Sequence, residues 1–164
     1  MATSYTIRQA TLDDLSLIIE LDQMIFGSYG GDEDPSIIAA RLSVFPEGCA
    51  VMEHKDGTVV GYLTTEKWAE AREPMLNEDP TQSHKSAGTV LNITTLAIVP
   101  AFQNQQLGTW LLAYAEEFAM SEGCREMILE TARAKHFYER HGYGLVGERE
   151  QQGVHLYIMH RLLG

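Results

Sequence analysis

The sequence predicts a mixed α/β domain of the α+β type, in which one sheet carries helices on both faces. Three observations lead there. Val90 to Val99 is a nearly continuous β-branched and apolar run, the pattern of a central strand buried on both faces. A long helical pattern and a second buried strand follow it, and such a strand–helix–strand unit makes a right-handed parallel crossover. An Asp-Gly hairpin early in the chain and a strand pair at its end supply antiparallel neighbours.

The elements follow in order. Tyr5 to Ala10 alternates and reads as a short strand. Thr11 opens a helix whose Leu12, Leu15, Ile18, Ile19 and Met24 recur at helical spacing, with Asp13 and Asp14 suiting its first turn. A loop from Ser28 to Pro35 leads to a second short helix, Ser36 to Phe45, with Ile37, Ile38, Arg41 and Leu42 as its stripe. Cys49–His54 and Thr58–Thr65 then pair as a hairpin across Lys55-Asp56-Gly57. Residues 69–87 break the regularity with Pro74, Asn77, Pro80 and Ser83 among mixed charges, and a loop of that length inside a domain is usually functional or disordered. After the central strand and Pro100, Leu107, Trp110, Leu111, Tyr114, Ala115 and Phe118 line one face of a helix closed by Gly123. Met127-Ile128-Leu129 is a buried strand, Ala134 to His141 a short helix, and Gly144–Glu148 and Val154–Arg161 the last two strands.

Length and charge narrow the function. A chain of 164 residues suits one domain, residues 1–164, with a core large enough to need no disulfide or metal. Twelve basic against 23 acidic residues leave a net charge of −11, which argues against nucleic-acid partners and anionic membranes. The excess is uneven: residues 1–88 carry 15 acids and 6 bases, the remainder 8 and 6. That bias either serves solubility or draws in a cationic substrate. Cys49 and Cys124 stand in no CxxC or CxxH pattern, so they read as inert buried thiols of a reducing, cytoplasmic setting. No signal peptide or membrane-length apolar run is read from the sequence. His136 and His141 are five apart on a helix and His155 and His160 five apart on a strand, poor spacings for shared ligation, so no metal is expected.

The junction from Pro100 to Gly108 joins a buried strand to a helix. The first N–H groups of a helix lack internal partners and carry partial positive charge, so this end suits a phosphate or pyrophosphate. Tyr138, four residues past Ala134 on an apolar stripe, reads by its position alone as a core tyrosine with a satisfied hydroxyl.

Read together, Leu96-Ala97-Ile98-Val99-Pro100, then Gln103-x-x-Gln106-x-Gly108, then Ala134-x-x-Phe137-Tyr138-Glu139-x-x-Gly142-Tyr143 resemble the GNAT N-acetyltransferase superfamily. The opening Ile7-Arg8-Gln9-Ala10-Thr11-x-x-Asp14 is similar to that family's first strand and helix, so the resemblance spans almost the whole chain. It implies a six- or seven-stranded, mostly antiparallel sheet splayed between two parallel strands, with acetyl-CoA in the gap. It implies that the backbone of Leu96, Ala97 and Ile98 holds the pantetheine arm. The loop of Gln103, Asn104, Gln105, Gln106, Leu107, Gly108 and Thr109 would take the pyrophosphate, with Thr131 and Phe137 also at the cofactor. Tyr138 would protonate the leaving thiolate. Gln106 replaces the family's middle glycine and Asn104 stands where another is common, which predicts weaker cofactor binding with the helix-end donors retained.

A closer likeness is to the arylalkylamine-type branch, through His84-Lys85-Ser86-Ala87-Gly88 and the gap-free passage from Glu130 to Tyr138. That branch's central-strand histidines are absent, with Asn92 and Thr94 in their places. An amine acceptor titrates near about 10 and must lose a proton before attack. Glu66, His84 and Thr94 (through water) are the candidate bases. The reading is an acetyl-CoA-dependent N-acetyltransferase for a primary amine, a cationic small one. A weak or inactive acyl-CoA-binding sensor, or a peptide N-terminal acetyltransferase, is the alternative, and a homodimer stays open.

Overall fold

The order along the chain is β1 (Tyr5–Gln9), α1 (Leu15–Phe26), α2 (Pro35–Val44), β2 (Ala50–His54), β3 (Val59–Trp68), α3 (Pro80–Ser83) and β4 (Val90–Ile98). It continues with α4 (Leu107–Ser121), β5 (Glu126–Thr131), α5 (Lys135–Arg140), β6 (Gly144–Gln151) and β7 (Val154–Leu162). These come from a computed structural model that describes residues 4–164. The strands form one sheet in the order β1-β2-β3-β4-β5-β7-β6, antiparallel everywhere except between β4 and β5. The mixed sheet with a parallel centre expected from the sequence is therefore the fold.

Two apolar layers sandwich this sheet. On one face Leu107, Leu111, Leu112, Ala115 and Ala119 of α4 pack on Val60, Leu91, Ile93, Met127 and Leu129. On the other, Ile18 and Leu21 of α1 and Ile38 and Leu42 of α2 pack on Val51, Tyr62 and Ala97. β4 feeds both layers, which explains its nearly continuous β-branched and apolar run. Thr94, Thr95 and Leu96 in its middle are nevertheless only half-buried. The expectation of burial on both faces fails there because the sheet opens beside them.

Pairing between β4 and β5 runs only from Val90↔Glu126 to Ile93↔Leu129. Each strand keeps its outer neighbour further on, β4 with β3 to Ile98 and β5 with β7 to Thr131. The β3–β4 register runs from Thr64↔Thr95 to Thr65↔Ile93, leaving Thr94 unopposed. An extra residue of this kind bends its strand and sharpens the local twist. It lies one residue past the last β4–β5 pair, and the two parallel strands part there.

Several boundaries move for local reasons. The first helix begins at Leu15, after a 3-10 turn over Leu12–Asp14. The Asp14 carboxylate accepts from the Thr11 backbone N–H at 2.8 Å and from Arg8, which fixes that tight turn and holds the Asp14 carboxyl below its usual range. β3 continues to Trp68, which is buried opposite Val90. The irregular stretch contains the short helix α3, capped by Asp79 through the Thr81 N–H. The helix after Pro100 starts only at Leu107, following a 3-10 turn over Pro100–Phe102 and an open loop. Cys49 and Cys124 are buried free thiols, and burial pushes the Cys49 thiol up to about 12. Among the described residues no helix is long and apolar enough to cross a membrane, and no cluster of three or more potential ligands could hold a metal.

Candidate active site

A cavity of about 1040 Å³ opens where β4 and β5 part. Its walls are β4 from Asn92 to Ile98, β5 from Leu129 to Thr131, the first turn of α4, α5, the segment between α1 and α2, and Pro74 to Leu76 of the irregular stretch. Beyond Ile93 the β5-facing edge of β4 has no strand partner. Exposed backbone donors and acceptors on such an edge take an extended amide-bearing chain as a further strand would be taken. Leu96, Ala97 and Ile98 all line the cavity on this edge.

The loop before α4 forms the next wall. Gln103 donates from its side chain to the Ile98 carbonyl at 3.1 Å, tying the loop back to the strand it leaves. Asn104 and Gln106 both adopt a left-handed backbone at φ +65°, the region glycine enters without penalty. The loop therefore keeps the shape that the missing glycines would favour, held by residues that strain to adopt it. Gln106 lies just before α4, a 15-residue helix whose first N–H groups open toward the cavity-lining loop. A Cβ on Gly108 would stand 3.4 Å from the Phe137 ring, so that glycine leaves a shallow recess beside the ring. Leu107 is buried at the loop's base. Thr109 contacts His141 Nε2 through its hydroxyl at 3.1 Å, and the Thr131 hydroxyl accepts from the Ala134 N–H at 3.0 Å. The residues from Gln103 to Thr109 line the cavity, as do Thr131 and Phe137, except Gln105, which points away and accepts from the Tyr5 hydroxyl. Open edge, helix end and recess fit a phosphopantetheine-type ligand.

Tyr138 belongs both to the core and to the cavity wall. Its ring packs edge-on against Phe137 at 5.1 Å and Tyr143 at 5.5 Å inside the main core, and it is 5% exposed. It also lines the cavity, and its hydroxyl bonds to no described residue. Burial pushes the phenol well above its ordinary value, so it remains protonated as a donor through neutral pH.

The three candidate bases have separate fates. Thr94 lines the cavity with its hydroxyl 2.6 Å from that of Thr64. Glu66 also lines it, but Oε1 accepts from Trp68 Nε1 and Ser83, and Oε2 from Arg41. His84 lies outside the lining, stacked on Phe45 at 4.4 Å, with Nδ1 accepting the Lys67 N–H at 3.1 Å. Burial lowers its affinity for a proton. A histidine so placed braces the irregular segment against β3 and has no line to the gap.

Two residues that the sequence reading left in structural roles belong to this site. Arg41, read as part of a helix stripe, is 2% exposed and lines the cavity between Glu66 and Glu33. Glu33, read as loop, meets Arg41 at 2.6 Å. Behind them Asp22 is 2% exposed, accepting from the Tyr62 hydroxyl at 2.7 Å and the Glu33 N–H at 2.8 Å. Burial raises the carboxyls of both Asp22 and Glu33. The signal available was an arginine amid apolar stripe positions, because a buried guanidinium requires carboxylate partners.

The acids of residues 69–87 are largely matched. Glu78 pairs with Arg72 at 2.7 Å, Glu73 lies 3.7 Å from Arg149, and Asp79 caps α3.

Residues 15–143 match the family model described as the acetyltransferase (GNAT) family. The loading GNATL domain of CurA from Lyngbya majuscula is 18% identical over 94% of this chain and 96% of that one, with a TM-score of 0.81. Ard1 from Thermoplasma volcanium is 18% identical over 98% and 99%, with a TM-score of 0.78. Naa50 of Arabidopsis thaliana, solved with a bisubstrate analogue CoA-Ac-MVNAL, is 14% identical over 97% and 99%, with a TM-score of 0.74. At these identities the likeness is one of fold. No curated protein sequence matches the chain.

Proposed function

Because the chain belongs to the acetyltransferase (GNAT) family, we propose that it transfers an acetyl group from acetyl-CoA directly to a primary amine, a small cationic one. The observation that carries this reading is the parting of β4 and β5 after Ile93 and Leu129, with Tyr138 and the α4 loop on the same cavity. The bound thioester supplies the activated acyl carbon. The β4 edge at Leu96–Ile98 holds the arm, and the helix-end N–H groups with the Gln103–Thr109 loop hold the pyrophosphate.

Attack by the neutral amine forms the C–N bond and breaks the C–S bond, and the amine sheds one proton as the sulfur gains one. Tyr138 donates a hydrogen bond from its hydroxyl to the departing sulfur. Its raised affinity for its own proton makes it a stabiliser of that sulfur and a relay for the incoming proton. Thr94, with Thr64 beside it, lies on β4 where a water could carry the amine's proton away. Much of the rate enhancement comes from holding amine and thioester together.

Thiol release from acetyl-CoA across an amine panel tests the reading. Amine-dependent release supports it. Stabilisation of the protein by CoA with no release from any amine, small or peptide, marks a binding protein of the same fold and overturns it. Release only with peptides bearing a free N-terminus moves the acceptor to peptides, as in the complex with Naa50.

A further inference from the structure

We propose that Glu33 anchors the acceptor, and that the group it holds is a second ammonium of that molecule, distinct from the reacting amine. The inference rests on the transferase reading and names its substrate class as diamines and polyamines.

The charges on the cavity wall locate the anchor. Glu78 is matched by Arg72, and Glu130 is held by Arg149 at 2.6 and 2.8 Å. The Arg133 guanidinium lies 4.3 Å from the centre of the Tyr29 ring, and His136 and Arg140 belong to α5 at the cofactor end. Glu33, Arg41 and Glu66 remain, two carboxylates around one guanidinium, with one negative charge in excess. Glu66 has both oxygens engaged. Glu33 gives Oε2 to Arg41, while Oε1 bonds to no described residue on a side chain nine-tenths buried and lining the cavity. The Arg41 Nε beside it is buried without a partner.

Excess charge and free lone pairs thus converge on Glu33 Oε1. A carboxylate nine-tenths buried, with one oxygen open only to the cavity, is poorly solvated, and Asp22 behind it adds to the repulsion. An ammonium entering from the cavity relieves both.

That ammonium is not the nucleophile. An alkylamine titrates near about 10, and an opposite charge within hydrogen-bond reach raises this by roughly 1–3 units. A nitrogen held by Glu33 keeps its proton and cannot attack. The reacting amine must be another nitrogen of the same molecule, nearer Thr94 and Tyr138.

Three probes of matched length, butane-1,4-diamine, butylamine and 4-aminobutanoate, test this. Two readouts are used: kcat/KM for thiol release, and calorimetric binding to the CoA-loaded protein. The wild type is expected to favour the diamine over butylamine by about tenfold or more, the worth of one charge-assisted hydrogen bond, and to disfavour the aminobutanoate. Glu33→Gln should bring the diamine down to the level of butylamine, through KM more than kcat. Glu33→Asp, which keeps the charge, should retain part of the margin, which a purely structural role would not restore. Equal use and binding of diamine and butylamine by the wild type, or a margin that survives Glu33→Gln, overturns the anchor. A Glu33-dependent binding margin with no thiol release from any probe leaves the anchor standing and sinks the transferase reading. Release with no Glu33-dependent margin does the reverse.

Discussion

Ile93 and Leu129 are the last residues of β4 and β5 to face each other. One residue further, Thr94 is the unopposed extra residue between β4 and β3. The sheet's only parallel pair among the described residues is therefore only four residues deep, and the site begins where it ends. Four predictions follow from what borders that gap.

Tyr138→Phe keeps the ring and its edge-on contacts with Phe137 and Tyr143 while removing a hydroxyl that bonds to no described residue. Turnover should fall by roughly 10²–10⁴-fold, the range for a lost acid–base group. Melting temperature and CoA affinity should change little. Unchanged turnover in a less stable protein would assign Tyr138 to the core alone.

Gln106 sits at φ +65°. A left-handed backbone is unfavourable for an L-residue by roughly 1–2 kcal/mol, and glycine avoids this at some expense in unfolded-state entropy. Gln106→Gly should leave stability equal or raised by up to about 1 kcal/mol, with CoA binding equal or tighter. Gln106→Val, β-branched, should lower both. Denaturant midpoints and CoA titrations of the two variants decide the matter.

Arg41 stands between two buried carboxylates. Removing one partner of a buried ion pair leaves an uncompensated charge, typically worth about 3–5 kcal/mol. Arg41→Met should lose stability of that order in urea unfolding. Adding Glu66→Gln to it should recover part of the loss, because the orphaned charge goes with it. An Arg41→Met protein as stable as the wild type would remove the triad from the account of the fold.

Glu33 titrates above its ordinary value in the folded chain, chiefly because it is buried. The folded state then binds more protons than the unfolded one, so its contribution to stability is fully present below the unfolded value and is lost as pH rises through the folded one. Asp14 and Asp56, held low by their partners, act in the opposite direction, so the comparison must be between variants. Glu33→Gln should flatten the fall in stability with rising pH just above the ordinary carboxylate range. Parallel pH–stability curves for wild type and variant would show that Glu33 does not titrate there. A saturating diamine should oppose the fall in the wild type, since it binds the ionised carboxylate.

Much of this protein is legible along the chain. The alternation of β1, the Asp56-Gly57 turn of the hairpin, the apolar run of β4 and the 3.6-residue period of α4 mark those elements, because each must bury one face or both. The strand-to-helix junction at Gln103–Gly108 is legible too, because it carries its donors in its own backbone, and Gln103, Gln106 and Gly108 line the cavity with Phe137 and Tyr138. That information is local, and a linear reading recovers it.

The buried charge cluster on the cavity wall is different, since it exists only across the fold. Glu33, Arg41 and Glu66 come from a loop, a helix and a strand, separated by 8 and 25 positions in sequence. Nothing in the loop residue Glu33 announces burial, and Arg41 on its stripe reads as a helix position until two carboxylates close on it. The candidate base His84 is held off the cavity by a ring stack on Phe45 and a hydrogen bond to β3 that no spacing foretells. Even the opening of the sheet depends on a one-residue register slip at Thr94, a matter of pairing between strands. Periodicity reports which face a residue turns inward. Only the packed structure decides which charge it meets there, because burial removes the solvent that would otherwise have satisfied it.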